Sequence, residues 1–150
     1  MDYKEEYKDD DIYLTPKGEH NRTLLWLHGL GDSAEGFVDV FKSKKATPVD
    51  EKTKVILLTA PVRAVTLNFG MEMPCWFDYI SLDFSNLDEF INPEQLEESE
   101  KRVIGVIKKE VEENLGGDYK KLMIGGFSQG AALSLYTACR LQENIGAVIF

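Results

Sequence analysis

The chain has 150 residues, of which 43% are hydrophobic and 29% are charged, so it is long enough for one globular domain with a buried core. A net charge of −9 without any Lys/Arg cluster argues against nucleic acids and anionic membranes as partners. The sequence contains no apolar run that would span a bilayer and no signal-peptide pattern at its charged N-terminus, so we expect a cytoplasmic protein without a transmembrane segment.

The two cysteines, Cys75 and Cys139, lie far apart in the sequence. Reduced thiols, as in a cytosolic protein, are the simpler interpretation, and a disulfide is the alternative. Neither cysteine belongs to a spacing typical of metal ligands, so we expect neither a metal ion nor a cofactor.

The N-terminal region differs in character from the rest of the chain. Residues 1–11 are strongly charged and predict a solvated terminal arm, whereas residues 12–14 predict a short edge strand that a turn closes. We therefore set residues 1–22 apart from a domain that extends over residues 23–150.

The first part of that domain has the pattern of a βαβ unit. Residues 23–27 form a continuous apolar run, which is typical of a strand buried on both faces of a parallel sheet. A glycine-rich turn follows, and we expect Asp32 or Ser33 to cap a helix that continues to about Lys45. Residues 55–60 predict a second buried strand, reached by a right-handed crossover.

The segment of residues 61–88 has no clear periodicity and is rich in large apolar side chains. Long irregular loops are uncommon in compact domains and are often functional. An apolar loop beside a reactive residue is a candidate wall for an acyl-chain pocket, with Phe69, Met73 and Trp76 as its predicted members. The alternative is that most of these side chains pack onto the sheet.

A long helix is predicted from Asn92 to about Leu115. Asn92 is a favoured N-cap, Pro93 suits the first helical position, and Gln95 stands three residues after the cap. Its many Glu and Lys residues predict a solvated face rather than a binding site. The predicted buried stripe consists of Leu96, Val103, Ile104, Ile107, Val111 and Leu115.

A strand–turn–helix pattern follows that helix. Residues 122–124 are typical of a buried strand, and the sequence Gly126-Phe-Ser128-Gln-Gly130 leads into a helical stretch. A serine on a sharp turn between glycines is the pattern of a nucleophile elbow, and Gly126 and Gly130 would allow strand and helix to approach. The alternative is a glycine-rich turn with a packing role alone.

Residues 145–150 predict a further buried strand.

Three separated segments resemble motifs of one protein family and follow one another in the same order as in that family. They are residues 27–33 (Leu-His-Gly-Leu-Gly-Asp-Ser), residues 60–68 with 73–78 (ending in Met-Pro-Cys-Trp-Phe-Asp), and residues 125–136 (Gly-Gly-Phe-Ser-Gln-Gly-Ala-Ala-Leu-Ser-Leu-Tyr). The chain thereby resembles the acyl-protein thioesterase and lysophospholipase branch of the α/β-hydrolases, in the phospholipase/carboxylesterase family. The resemblance implies an α/β fold with a mostly parallel sheet flanked by helices, here with its C-terminal strands missing.

The resemblance also implies the chemistry of a serine esterase. Ser128 matches the nucleophile, and the backbone N–H groups of Leu30 and Gln129 match the two oxyanion donors. Each donor is worth about 3–4 kcal/mol in the transition state. His28 matches a turn residue that shapes the oxyanion loop, not the base. The implied substrates are thioesters or oxyesters of long acyl chains, as in acylated proteins or lysolipids.

The partners that Ser128 needs are missing from the sequence. In α/β-hydrolases the Asp or Glu and the His of the triad follow the serine, but only Glu143 and no histidine follows Ser128. Three explanations account for the missing triad residues. The chain is a fragment of a complete esterase, or an inactive structural subunit whose open sheet edge a partner subunit covers, or a second polypeptide completes the site.

Overall fold

The structure is a computed structural model that describes residues 1–81 and 90–150. The end of the predicted loop, residues 82–88, lies outside the described residues. In chain order the described strands are β1 (Tyr3–Lys8), β2 (Asp11–Pro16), β3 (Arg22–Leu27), β4 (Thr53–Leu58), β5 (Val62–Val65), β6 (Met71–Pro74), β7 (Leu122–Gly126) and β8 (Ala147–Ile149). The described α-helices are α1 (Glu35–Lys42), α2 (Pro93–Asn114) and α3 (Gln129–Arg140).

The main sheet of the described residues has the strand order β1-β2-β4-β3-β7-β8. β4, β3, β7 and β8 pair in parallel, whereas β1 with β2 and β2 with β4 pair antiparallel. The register of β3 and β7 runs from Thr23 opposite Leu122 to Leu27 opposite Gly126. The two strands therefore end level with each other, and the turns that follow them meet at the same edge of the sheet.

The sheet is buried on both faces by helices, because successive side chains along each strand point to opposite sides. Leu25 and Leu27 belong to one hydrophobic cluster, which α2 and α3 cover through residues such as Val103 and Leu133. Leu24 belongs to the other cluster, which includes Val38 and Phe41 of α1. This arrangement explains why the sequence of β3 is continuously apolar, and it confirms the predicted α/β fold.

The prediction of a solvated arm over residues 1–11 is wrong. Tyr3–Lys8 is a strand that pairs with β2 along its whole length, and the buried Tyr3 donates a hydrogen bond from its hydroxyl to the carbonyl of Thr53. β1 rather than the segment of residues 12–14 is therefore the edge strand. Backbone pairing with β2 stabilises this charged strand, and sequence composition does not report such pairing. The boundary at residue 22 stays a prediction.

The capping prediction for α1 is wrong as well. The residue at the N-cap position is Ala34, which has no side-chain cap, and Asp32 accepts a hydrogen bond from the amide of Ser33 instead. A residue distant in sequence satisfies the helix start, because the amide of Ala34 donates to the hydroxyl of Thr59. The helix also ends at Lys42, three residues before the predicted end.

The segment predicted to be an irregular loop contains a β-hairpin. β5 and β6 pair antiparallel from Val62 opposite Pro74 to Val65 opposite Met71, and a short 3-10 turn (Thr66–Asn68) connects them. The prediction failed because both strands are short and partly exposed, so their sequences lack a clean alternation of apolar and polar residues.

The start of α2 is confirmed. The side chain of Asn92 accepts a hydrogen bond from the amide of Gln95, and Pro93 occupies the first turn. The prediction of a wholly solvated acidic face is wrong for two glutamates. Glu110 is buried and accepts hydrogen bonds from Lys54 (2.6 Å) and Thr23 (2.7 Å). Glu100 is buried beside Arg140, at 2.8 Å.

Candidate active site

Ser128 lies on the predicted turn, between the end of β7 and the start of α3. Its backbone has φ 51° and ψ −116°, a combination that crowds any side chain and costs roughly 1–3 kcal/mol. The side chain of Ser128 is exposed. A strained backbone that presents an accessible hydroxyl at the carboxyl edge of a parallel sheet is the geometry of a nucleophile elbow.

The elbow glycines are required because the elbow packs against the end of β3. A Cβ atom at Gly126 would lie 2.6 Å from the carbonyl oxygen of Leu27. A Cβ atom at Gly130 would overlap that same oxygen and would approach the carbonyl of His28 to 2.5 Å. The lack of a Cβ atom at Gly126 and Gly130 therefore allows the first turn of α3 to contact the β3 backbone.

The loop after β3 lies beside the elbow. A Cβ atom at Gly29 would be 3.4 Å from the Cβ of Ser128, so the two turns are in van der Waals contact. Within residues 1–81 and 90–150, the backbone N–H groups of Leu30 and Gln129 have no protein acceptor. Two unpaired amides next to an exposed serine are what an oxyanion hole requires, although their role as oxyanion donors stays a prediction.

His28 is a buried structural residue. The amide of Ala60 donates to Nε2 at 2.9 Å, which requires Nε2 to be unprotonated. The proton is therefore on Nδ1, and Nδ1 donates to the carbonyl of Gly29 at 2.6 Å. Burial lowers the pKa of His28 below its ordinary value, which keeps the ring neutral. Because both ring nitrogens are occupied, His28 is not available to Ser128 as a base.

His20 is at the opposite end of the sheet. It contacts Thr23 at the start of β3 and lies 3.9 Å from Glu110, whereas Ser128 follows the end of the parallel strand β7. Among the described residues, the Ser128 hydroxyl has no hydrogen-bond partner. The described part of the chain therefore brings an exposed serine and two unpaired amides together without a triad base.

The three predicted pocket residues do not come together. Phe69 is 97% exposed near the tip of the β5–β6 hairpin, whereas Trp76 is 0% exposed and is inaccessible to a substrate. Met73 lies beside the loop after β3, with its sulfur 3.5 Å from the Cβ position of Gly31. The role of Phe69 and Met73 in binding an acyl chain stays a prediction, whereas the complete burial of Trp76 leaves it no surface for contact with an acyl chain.

An apolar cavity of about 230 Å³ lies elsewhere, beside α3. It is close to the elbow, because Ala132 is on its wall and donates its amide to the carbonyl of Ser128. The cavity was not predictable from the sequence, because its residues come from separate segments, and only the spacing of Ala132 and Tyr136 on one helix face indicates it. The wall consists of Phe77, Tyr79, Phe90, Ile91, Leu96, Ala132 and Tyr136.

In residues 1–81 and 90–150, no three His, Cys, Asp or Glu side chains are close enough together to hold a metal ion. Among the helices of the described residues, none is long and apolar enough to cross a membrane.

The fold and the elbow together define an α/β-hydrolase, and solved structures agree. Arabidopsis thaliana SOBER1 matches with a TM-score of 0.71 and 30% identity, over 85% of this chain and 59% of that one. Zea mays acyl-protein thioesterase 2 matches with a TM-score of 0.67 and 32% identity, over 85% of this chain and 50% of that one.

Sequence comparison identifies the family. The model of the phospholipase/carboxylesterase family matches residues 11–150, so the chain belongs to that family. Acyl-protein thioesterase 1 of Yarrowia lipolytica is 36% identical over 138 residues, which are 92% of this chain and 59% of the relative. Acyl-protein thioesterase 1 homolog 1 of Dictyostelium discoideum is 43% identical over 118 residues, which are 79% of this chain and 50% of that relative. The chain thus spans 50–59% of the length of these two relatives.

Proposed function

We propose that the protein hydrolyses thioesters or carboxylic esters of acyl chains through an acyl-enzyme on Ser128. The observation that carries the proposal is the strained, exposed Ser128 in contact with a loop that offers an unpaired amide. Membership of the phospholipase/carboxylesterase family supports the reaction class.

The geometry suits one sequence of steps. The Ser128 oxygen attacks the carbonyl carbon while its proton passes to a base, and the carbonyl oxygen becomes negative. The amides of Leu30 and Gln129 stabilise that oxygen. Collapse of the intermediate expels the thiolate or alkoxide, which takes up the proton, and water then hydrolyses the acyl-enzyme in the same way. The described residues supply every group that these steps need except the base.

We place the substrate among S-acylated proteins first and lysolipids second. The relatives named acyl-protein thioesterase support the first assignment. The apolar cavity beside α3 offers about 230 Å³ for part of an acyl chain. A cytoplasmic location is part of the same proposal, and the free thiols of Cys75 and Cys139 agree with it.

Labelling with a fluorophosphonate probe tests the proposal directly. The Ser128 oxygen of the native protein should attack the phosphorus of the probe, displace fluoride and retain the phosphonyl group, and Ser128→Ala should remain unlabelled. The same preparation should release palmitate from an S-palmitoyl peptide faster than from a lysophospholipid. Absence of both labelling and hydrolysis contradicts the proposal.

The alternative is an inactive hydrolase-like subunit. The relatives named acyl-protein thioesterase do not favour it, and what speaks for it is the position of β8 at one edge of the described sheet, where a partner would add a strand. The mass of the native protein, measured together with its labelling by the probe, distinguishes the two functions. An unlabelled protein that migrates with a second polypeptide supports the alternative, whereas a labelled monomer contradicts it.

A further inference from the structure

Trp76 is completely buried, and all of its polar groups are paired. Its backbone N–H donates to Oε1 of Gln129 at 2.8 Å, and its indole Nε1–H donates to the carbonyl of His28 at 2.9 Å. Its carbonyl accepts a hydrogen bond from the hydroxyl of Ser99 on α2 at 2.5 Å. Such complete pairing fixes both the position and the orientation of the indole.

The two donors of Trp76 reach the two halves of the oxyanion site. One bond holds His28, which is two residues before Leu30 in the loop after β3. The other bond holds the side chain of Gln129, whose own backbone N–H is the second amide. A single rigid residue therefore spans the gap between the two predicted oxyanion donors, which lie 99 positions apart in sequence.

Further hydrogen bonds prevent either half from moving independently. The Gln129 side chain also donates to the carbonyl of Phe77 at 2.7 Å, so both ends of its carboxamide are held. His28 donates from Nδ1 to the carbonyl of Gly29. That carbonyl and the N–H of Leu30 belong to the same planar peptide group, so the bond from His28 fixes the direction of the Leu30 N–H.

We propose that Trp76 is a positioning residue that sets the spacing between the amides of Leu30 and Gln129. The inference rests on the proposed hydrolase function and adds a residue that does not contact the substrate. It predicts that removing the indole N–H impairs stabilisation of the oxyanion more than it impairs substrate binding. If Trp76 served only to fill the core, an apolar ring of similar size would replace it without a catalytic effect.

The test compares two tryptophans. Trp76→Phe keeps a buried ring but removes the donor to His28. The matched control is Trp26→Phe, because the Trp26 Nε1–H is buried and has no partner among the described residues. A 1 Å misplacement of reacting groups costs on the order of 10²-fold in rate, so a partial displacement in Trp76→Phe should slow fluorophosphonate labelling about tenfold. With a thioester, kcat should fall while KM stays unchanged, and Trp26→Phe should change neither value.

A second variant distinguishes loss of the hydrogen bond from misfolding of Trp76→Phe. Replacing Trp76 by an isosteric amino acid with sulfur in place of the indole N–H keeps the packing and removes the same hydrogen bond, and it should slow labelling to the same extent. A folded isosteric variant with wild-type labelling, kcat and KM overturns the inference.

Hydrogen exchange gives a readout that needs no activity. Amides of residues 28–31 and 127–130 should exchange faster in the isosteric variant than in Trp26→Phe, even if the wild type is unlabelled. Unchanged exchange in both segments overturns the positioning role. Absence of labelling in the wild type, by contrast, contradicts only the proposed function.

Discussion

The carbonyl oxygen of Leu27 occupies the space in which a Cβ atom of residue 130 would lie. This contact joins the last residue of β3 to the first turn of α3. Through it the turn at Ser128 lies against the loop that carries Leu30, and so the contact contributes to bringing Ser128 and the amides of Leu30 and Gln129 to one place. The glycine of the motif is therefore a consequence of packing between two elements, not of turn conformation alone, since its φ is not positive.

Gly130→Ala should destabilise the protein by about 3 kcal/mol or more, because the new methyl group must push β3 and α3 apart. The matched control is Gly105→Ala in α2, where a Cβ atom would meet nothing within 4 Å. That change should stabilise the helix by about 0.5–1 kcal/mol. Urea unfolding of both variants measures the difference. Equal stability of the two variants would contradict the close approach of Leu27 and Gly130.

Replacing Ser128 should reveal the strain stored at the elbow. Ser128→Gly and Ser128→Ala both remove the hydroxyl and should both abolish labelling. Only glycine adopts the observed backbone conformation of Ser128 without crowding, so Ser128→Gly should be more stable than Ser128→Ala by about 1–2 kcal/mol. Thermal unfolding provides the comparison. A more stable Ser128→Ala would show that the backbone at this position is unstrained.

Local signals in the sequence predicted much of the fold. The start of α2 was predictable because Asn92, Pro93 and Gln95 carry the capping information within four residues. The central strands were predictable because burial on both faces leaves continuous apolar runs. The start of α1 was not, since it depends on Thr59, 25 positions away. The pairing of β1 was missed for the same reason, because strand partners leave no mark in a charged sequence.

In the candidate site, too, the features set by neighbouring residues were predictable from the sequence, and those set by distant residues were not. Ser128 and its glycines form one short motif, so the elbow was predictable. The role of the Gln129 side chain was not, because its partners lie 52 and 53 positions away. Trp76 was predicted to line a pocket because it is a large aromatic residue in an apolar segment. Its hydrogen bonds to two distant turns explain instead why it is buried.

The buried ion pair of Lys54 and Glu110 should be sensitive to the loss of one partner. Both side chains are nearly inaccessible, at 11% and 5% exposure, and their charged atoms are 2.6 Å apart. Glu110→Gln removes the carboxylate that contacts the ammonium group of Lys54 and should cost about 3–5 kcal/mol. The control is Glu98→Gln, since Glu98 pairs with Arg63 but is 68% exposed, and its loss should leave the urea midpoint almost unchanged. An equally small effect at Glu110 would contradict its burial.

Stability should fall as the pH drops below about 6.5, because His28 resists protonation in the folded state. Burial lowers the pKa of His28, and its Nε2 must remain free to accept the amide of Ala60. Above the unfolded pKa of about 6.5, the imidazole is neutral in both states and the full stability is present. Below that pH the unfolded chain binds a proton that the folded chain does not, so the free energy of unfolding decreases until the pH reaches the lowered folded pKa.

The slope of this decrease can be assigned to single residues. Each such histidine contributes at most about 1.4 kcal/mol per pH unit. Burial lowers the pKa of His20 too, so both histidines act in the same direction. Urea unfolding between pH 5 and pH 7 should therefore show a smaller slope in His28→Gln and in His20→Asn than in the wild type, and the smallest slope in the double variant. A slope in His28→Gln equal to that of the wild type would mean that the imidazole of His28 binds protons to the same extent in the folded and the unfolded chain, and that burial does not lower its pKa.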